Sequence, residues 1–275
     1  MGLMQDCTQA LMAEVANHTV YGLDDAGWLQ ASDRVEVKFM VPVQQVLDLV
    51  KTLLPHCECF QVSDDVLLDY STTYFDTADF TLYHQHHRDC PRRAKVRLRY
   101  YQQTDSGFFE VKRKDKLGRT HKERIAVQNY KNLIFDQQDF LSGQGLGNDA
   151  LLLNPVLTVG YQRLCLRDQN TGERISFDLN LFFHNQVHHH MLTDKVIVEI
   201  KVPNHVHRSR GFREIKQLGL RETSISKYCL GMNLMYPDKV KYNRFKPMLR
   251  ETGVWSDYLI RKQWIENQSR EFAHA

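Results

Sequence analysis

Residues 94–101 read Ala-Lys-Val-Arg-Leu-Arg-Tyr-Tyr, and residues 108–114 read Phe-Phe-Glu-Val-Lys-Arg-Lys. The first stretch puts Lys95, Arg97 and Arg99 on one side of a period-two pattern and Val96, Leu98 and Tyr100 on the other. The second sets Glu110, Lys112 and Lys114 against Phe109, Val111 and Arg113. Such alternation is a strand pattern, because successive side chains of an extended chain point to opposite faces. An ordinary half-exposed strand turns mixed charges to water. These faces are mostly basic with a lone carboxylate, and rows of like charge destabilise a sheet. A bound polyanion removes that cost, since Arg grips phosphate as a fork and Lys as a mobile point charge.

The same period recurs on both sides of this stretch. Residues 34–41 alternate Arg34, Glu36 and Lys38 with Val35, Val37, Phe39 and Val41. Residues 68–75, 119–127, 156–166, 173–180 and 195–202 also read as strands, the last with Glu199 and Lys201 opposite an all-aliphatic row. Helical spacing is predicted around Thr8–Val15, from Pro42 to about Leu54 with Pro55 as the stop, and over 129–142, 208–217, 222–235 and about Val254–Arg270. Strands outnumber helices and short loops join them. This predicts an α+β fold whose antiparallel sheet closes on itself, with helices packed outside. The expected division is a lead-in helix at 1–31, one main domain at 32–236 and a helical extension at 237–275.

Composition narrows the function classes. The chain has 275 residues, 36 Lys plus Arg against 33 Asp plus Glu, and a net charge of +3. That balance argues against a protein that coats DNA and against an acidic disordered one. It also conceals a concentration: Arg92 to Arg124 holds 12 basic and 4 acidic residues, a third of all the bases in 33 positions. No run of 18 apolar residues predicts a membrane span, and residues 1–20 do not read as a signal peptide. Six cysteines without a CxxC pair suit a reduced, cytoplasmic protein. A lone acid on a basic face, as at Glu36, Glu110 and Glu199, suits a hard divalent cation that bridges phosphate oxygens.

Taken in order, these segments resemble the catalytic domain of the vacuolar transporter chaperone (VTC) polyphosphate polymerases, within the triphosphate tunnel metalloenzyme, or CYTH-like, superfamily. The resemblance spans about residues 32–236. It rests on Arg34-Val-Glu36-Val-Lys38, Tyr74-Phe75-Asp76, Arg97-Leu-Arg99-Tyr100, Glu110-Val-Lys112 and Lys122-Glu-Arg124, followed by Tyr161-Gln-Arg163, Ile175-Ser-Phe-Asp178, Val198-Glu199-Ile-Lys201 and Ser226-Lys227-Tyr228. It implies an eight-stranded antiparallel barrel and transfer of the γ-phosphate of ATP onto a growing inorganic polyphosphate chain, with Mn²⁺ or Mg²⁺. It assigns Lys38, Arg97, Arg99, Lys112, Arg124, Arg163, Lys201 and Lys227 to triphosphate and polymer, with Lys114 beside them. It assigns Glu199 to the metal, with Glu36 and Glu110 as further candidates. Arg34 stands where the related CYTH branch opens with a glutamate, which favours the polymerase branch. No amino-terminal SPX domain and no membrane helices are expected in this chain, and a membrane partner is left open.

Several residues keep two readings at this level. Lys95 and Lys114 are site residues or solvated strand ends. Glu36 and Glu110 are metal ligands or ion-pair partners that hold arginines in place. Asp178 orients a base or makes structural hydrogen bonds, and Lys227 is a ligand or a surface lysine. Histidines 84, 86, 87 and 188–190 lack the i, i+4 spacing of a facial ligand pair. Gly143–Gly147 lacks the Lys-Ser/Thr of a phosphate loop and reads as a plain loop. Trp28, Trp255 and Trp264 are expected to anchor the terminal extensions. A tunnel triphosphatase and a non-catalytic polyanion binder need the same charges. RNA recognition is disfavoured because no stacking platform interleaves the basic faces.

Overall fold

The computed structural model describes residues 2–23, 35–127, 138–203, 205–260 and 262–263. In chain order the elements are α1 (Leu3–Val15), β1 (Val20–Tyr21), β2 (Val35–Pro42), α2 (Val43–Leu53), β3 (Glu58–Phe60), β4 (Leu67–Asp76), α3 (Thr81–His87), β5 (Arg93–Tyr101), β6 (Ser106–Lys114) and β7 (Thr120–Val127). There follow α4 (Gln138–Ser142), β8 (Asn154–Asp168), β9 (Glu173–His184), β10 (His189–Met191), β11 (Lys195–Val202), α5 (Arg210–Gln217), α6 (Lys227–Met235) and α7 (Lys246–Glu251). Eight strands follow one another in a single hydrogen-bonded order, β2-β11-β9-β8-β4-β5-β6-β7. The ladders β2–β11, β11–β9, β5–β6 and β6–β7 are antiparallel.

The α+β class and the eight strands match the sequence reading, but closure does not. Among the described residues no ladder joins β2 to β7, so the sheet is open. Both ends carry charge: β7 is exposed over most of its length, and Val35 and Glu36 are exposed at the start of β2. Charged, solvated rims block the pairing of one edge strand with another.

The chain forms two compact units. One comprises residues 1–70, 161–181 and 191–225; the other comprises 71–160, 182–190 and 226–275. In the first unit, the apolar rows Val37-Phe39-Val41 of β2, Val196-Val198-Ile200 of β11 and Ile175-Phe177-Leu179 of β9 share one core with α1, α2 and α5. The opposite rows of the same strands carry Glu36, Lys38, Glu199 and Lys201. In the second unit, Val96, Leu98, Phe109 and Val111 pack with Phe75, Leu82 and Leu141. Helices therefore cover the apolar face of each sheet segment and leave its polar face uncovered by that core.

Differences from the predicted elements have local causes. Pro42 was expected at the first turn of a helix, yet it closes β2, with ψ 136°, and α2 begins at Val43. Helix 222–235 begins only at Lys227, because the backbone before it pairs elsewhere. Phe39 bridges Glu222, and the Thr223 amide donates to the Lys38 carbonyl. Ser226 then caps α6 by accepting from the Cys229 amide. Of the helix expected at 129–142, α4 is present and 128–137 lie outside the described residues. Residues 255–260 are helical; the rest of the expected tail helix, the boundary at 31/32, Arg34, Trp28 and Trp264 also lie outside them. All six cysteines are free thiols. No described helix is long and apolar enough to cross a membrane.

Helix α6 is buried along eight of its nine residues. A Cβ added at Gly231 would stand 2.5 Å from Leu157 Cδ2 and 2.8 Å from Phe183 Cδ1. Gly231→Ala is expected to lower stability by about 1–3 kcal/mol through overpacking. Urea unfolding checks this, and an unchanged midpoint would refute it.

Candidate functional site

In the first unit, the register places Lys38 opposite Glu199 and Glu36 opposite Lys201 across β2 and β11. Each lysine reaches both acids. Lys38 Nζ bonds Glu36 Oε1 and lies 3.4 Å from Glu199 Oε2. Lys201 Nζ lies 2.5 Å from Glu199 Oε1 and 3.6 Å from Glu36 Oε2. The four side chains form a closed square of alternating charge. Burial alone would raise both carboxyl pKa values, but the two ammonium groups outweigh it and hold Glu36 low and Glu199 well below the usual range. The acids in turn outweigh burial at Lys38 and raise its pKa.

Arg163 of β8 sits in the same unit with its fork engaged. Nε donates to Asp178 Oδ1 at 2.6 Å and Nη2 to Oδ2 at 2.9 Å. The rings of Tyr70 and Tyr161 stack at 5.1 Å, and each ring centre is 5.2 Å from the guanidinium. Asp178 thus holds a base, one of the two roles left open for it. A cavity of about 380 Å³ opens beside Glu36 and Lys38, walled by Glu222, Thr223, Ser224 and Ile225.

In the second unit, β5, β6 and β7 lie in register, so paired residues share a face. Arg97, Glu110 and Arg124 form one row, Lys95, Lys112 and Lys122 the next, and Arg93, Lys114 and Thr120 a third. With Arg99 in its row with Phe108 and Ala126, this face presents eight basic side chains and one acid. Glu110 is that acid, with its side chain 1% exposed. Arg97 Nε and Nη2 each reach its Oε2 at 2.7 Å, and Lys122 pairs with Oε1. Burial would raise its pKa, but Arg97, Arg99 and Lys122 bring it down to about 2. Arg124 lies over the Phe108 ring at 4.7 Å. Lys95 donates to Ser226 Oγ at 2.8 Å, which ties the basic face to the start of α6, where Lys227 is the first helical residue.

Tyr74 stands beside this face on β4, the strand next to β5. It is fully buried, yet Arg97, Arg99 and Lys95 outweigh the desolvation and lower its pKa; Arg97 is also its hydrogen-bond partner. Its ring packs on Tyr228 at 5.1 Å, and Tyr228 Oη donates to the buried Asp76 at 2.5 Å. Asp76 also accepts from the amides of Thr77, Leu82 and Tyr83. The Tyr74-Phe75-Asp76 stretch therefore supports the site from within. His86 is spent on the Ala94 carbonyl at 3.0 Å, and burial first, then Lys95, lowers its pKa to about 3.

The structure thus brings Lys38, Lys201, Glu36, Glu199 and Arg163 together in one unit. It brings Arg97, Arg99, Lys112, Lys114, Arg124, Lys227 and Glu110 together in the other. Sequence reasoning passed over three contributors. Lys122 lies within the Lys122-Glu-Arg124 motif, but its register partner is Lys112 and only the folded side chain shows that it reaches Glu110. Arg174 stands opposite Lys201 on β9, a position that its alternation with Ser176 and Asp178 signals. Tyr70 has no sequence signal, because its partner lies 93 residues away in Arg163.

The carboxylates differ in fitness for a metal. Glu36 and Glu199 supply hard oxygens from neighbouring strands, and Mg²⁺ commonly takes one or two carboxylates and completes its shell with phosphate and water. Glu110 has one oxygen on Arg97 and the other on Lys122, so its place here is that of an ion-pair partner. Among the described residues no set of three His, Cys, Asp or Glu side chains converges.

Glu110 also sets a pH dependence. Its folded pKa of about 2 lies below the ordinary 4.5. The stabilisation is complete above pH 4.5 and is lost as pH falls towards 2, on the order of 2–3 kcal/mol. Glu110→Gln is expected to flatten that part of the stability profile in urea melts between pH 6 and pH 2.5. A profile as steep as that of the unaltered chain would refute it.

Residues 33–236 match the family profile of the VTC domain. No curated protein matches the chain. Among solved structures, a candidate adenylyl cyclase from Hippeastrum, described as having a dominant triphosphatase activity, is 15% identical, with 75% of this chain and 98% of that one covered and a TM-score of 0.49. A candidate adenylate cyclase from Bacillus halodurans is 15% identical, covers 71% and 94%, and scores 0.48. One from Vibrio parahaemolyticus is 17% identical, covers 73% and 99%, and scores 0.44.

Proposed function

The chain belongs to the VTC domain family, and from that premise we propose that it is an ATP-dependent polyphosphate polymerase, a phosphotransferase whose substrates are ATP and inorganic polyphosphate. The observation that carries this reading is the face of β5, β6 and β7, where eight basic side chains surround one acid. Such a face is costly without a polyanion on it, and a phosphate chain supplies the repeated negative charge that offsets it.

In this reaction a terminal phosphate oxygen of the polymer attacks the γ-phosphorus of ATP. The new P–O bond forms as the bond to the β–γ bridging oxygen breaks, and ADP departs. The nucleophile is already an oxyanion, so no base must take its proton. The work of the protein is positioning and charge compensation. Arg97, Arg99, Lys112, Lys114 and Arg124 bind phosphates of the chain, and Glu110 and Tyr74 hold Arg97 in its pose. In the first unit Lys38, Lys201 and Arg163 bind phosphate oxygens, and in the second Lys227 does. A Mn²⁺ or Mg²⁺ on Glu199 and Glu36 supplies, when bound, further neutralisation of phosphate oxygens.

The test is incubation of pure protein with ATP, Mn²⁺ and a short polyphosphate primer. ADP release with lengthened polymer is expected. Orthophosphate without lengthening would replace the polymerase with a triphosphatase, and tight phosphate binding without turnover would replace it with a binding module.

A further inference from the structure

In the square of Lys38, Glu36, Lys201 and Glu199 an ammonium group lies within 3.6 Å of each carboxylate oxygen. Glu36 gives Oε1 to Lys38 and Oε2 to Lys201; Glu199 gives Oε1 to Lys201 and Oε2 to Lys38. The charges cancel, so the square is neutral. It is also accessible: the four side chains are between 11% and 31% exposed. A divalent cation that binds these acids must take oxygens which the ammonium groups now hold. Once displaced, a lysine in this half-buried place is an uncompensated charge, and its flexible stem lets it seek another anion. The cavity beside Glu36 and Lys38 leaves room for that movement within the same unit.

We propose that Lys38 and Lys201 are resident counter-ions of Glu36 and Glu199, exchanged for the divalent metal, and that this exchange hands both lysines to phosphate. The inference rests on the reading of Glu199 and Glu36 as metal ligands and adds a coupling to it. Metal alone turns a neutral square into one with two surplus positive charges. Phosphate alone draws the lysines off and strands two carboxylates. Bound together, metal and triphosphate leave each charge compensated, so each strengthens the other by the same factor.

The test is titration of Mn²⁺ alone, by calorimetry, into the full chain and into Lys38→Met, Lys201→Met and Glu199→Gln, with circular dichroism as the check on folding. Removing a resident counter-ion is expected to tighten Mn²⁺ binding about tenfold, while Glu199→Gln abolishes it. At saturating Mn²⁺ the lysine variants are expected to bind inorganic tripolyphosphate more weakly than the unaltered chain. This opposite movement of the two ligands is the mark of exchange. Unchanged or weaker Mn²⁺ binding in both lysine variants, with Glu199→Gln still inactive for metal, overturns the exchange and leaves the metal assignment standing. Unweakened tripolyphosphate binding overturns the handover. Mn²⁺ binding that survives Glu199→Gln places the metal elsewhere and overturns both readings. Either lysine variant alone suffices if the other fails to fold.

Discussion

Arg97→Ala is expected to reduce polymer synthesis by about 10²–10³-fold, the usual loss when one preorganised charge stabiliser is removed. The reason lies in how the side chain is held. Two of its nitrogens stand 2.7 Å from Glu110 Oε2, and Tyr74 is a further hydrogen-bond partner. A guanidinium fixed in this way pays little reorganisation when charge develops on a transferring phosphoryl group. The same substitution strips a buried carboxylate of its arginine partner. Breaking a buried pair on one side costs about 3–5 kcal/mol, and the remaining Lys122 ion pair keeps the expected cost near 3. The two effects separate in the double variant Arg97→Ala/Glu110→Gln, which should regain stability in urea melts and stay as slow as the single one. Turnover within about twofold of the unaltered chain in Arg97→Ala would remove this arginine from the reaction.

Asp178→Ala should have the largest effect on stability, about 3–5 kcal/mol. It leaves the Arg163 guanidinium beside a stacked pair of tyrosine rings with neither of its carboxylate bonds. The side chains of Arg163 and Asp178 are 10% and 1% exposed, so water cannot replace the lost acid. Replacing both partners, Arg163→Met with Asp178→Leu, is expected to be nearly neutral in stability, since a well-packed apolar pair of similar volume avoids the desolvation cost. This double variant also tests the role of Arg163. If Arg163 binds triphosphate, the variant is stable and slow; if it serves only as a strut, turnover is retained. Chemical denaturation and a coupled ADP assay together read both.

The strands were legible because alternation is a local property. Val96, Leu98 and Tyr100 can be separated from Lys95, Arg97 and Arg99 without knowing any partner strand, and β5, β6 and β11 lie within two residues of their predicted bounds. Helix α3 escaped notice because Thr81–His87 is short and rich in histidine. Its start depends on Phe80 in the left-handed region, at φ 58°, and on Asp76 accepting from the amides of Leu82 and Tyr83. The late start of α6 was equally hidden, since its competitor is a backbone bond from Thr223 to Lys38, 185 positions earlier.

The character of each face follows from composition and period alone. A basic row with one acid, repeated over several strands, points to a polyanion, which offsets that much like charge. What each acid does could not be read in the same way. Glu36, Glu110 and Glu199 look alike in sequence, each a glutamate two positions from a lysine. The fold separates them: register sets Arg97 opposite Glu110 while Lys122 reaches it from the next row, and register gives Glu36 and Glu199 to the same two lysines on adjoining strands. Electrostatic energy falls off over a few ångströms, so a residue's role as ligand, strut or counter-ion depends on neighbours tens or hundreds of positions away. Only the folded arrangement of the chain sets those distances.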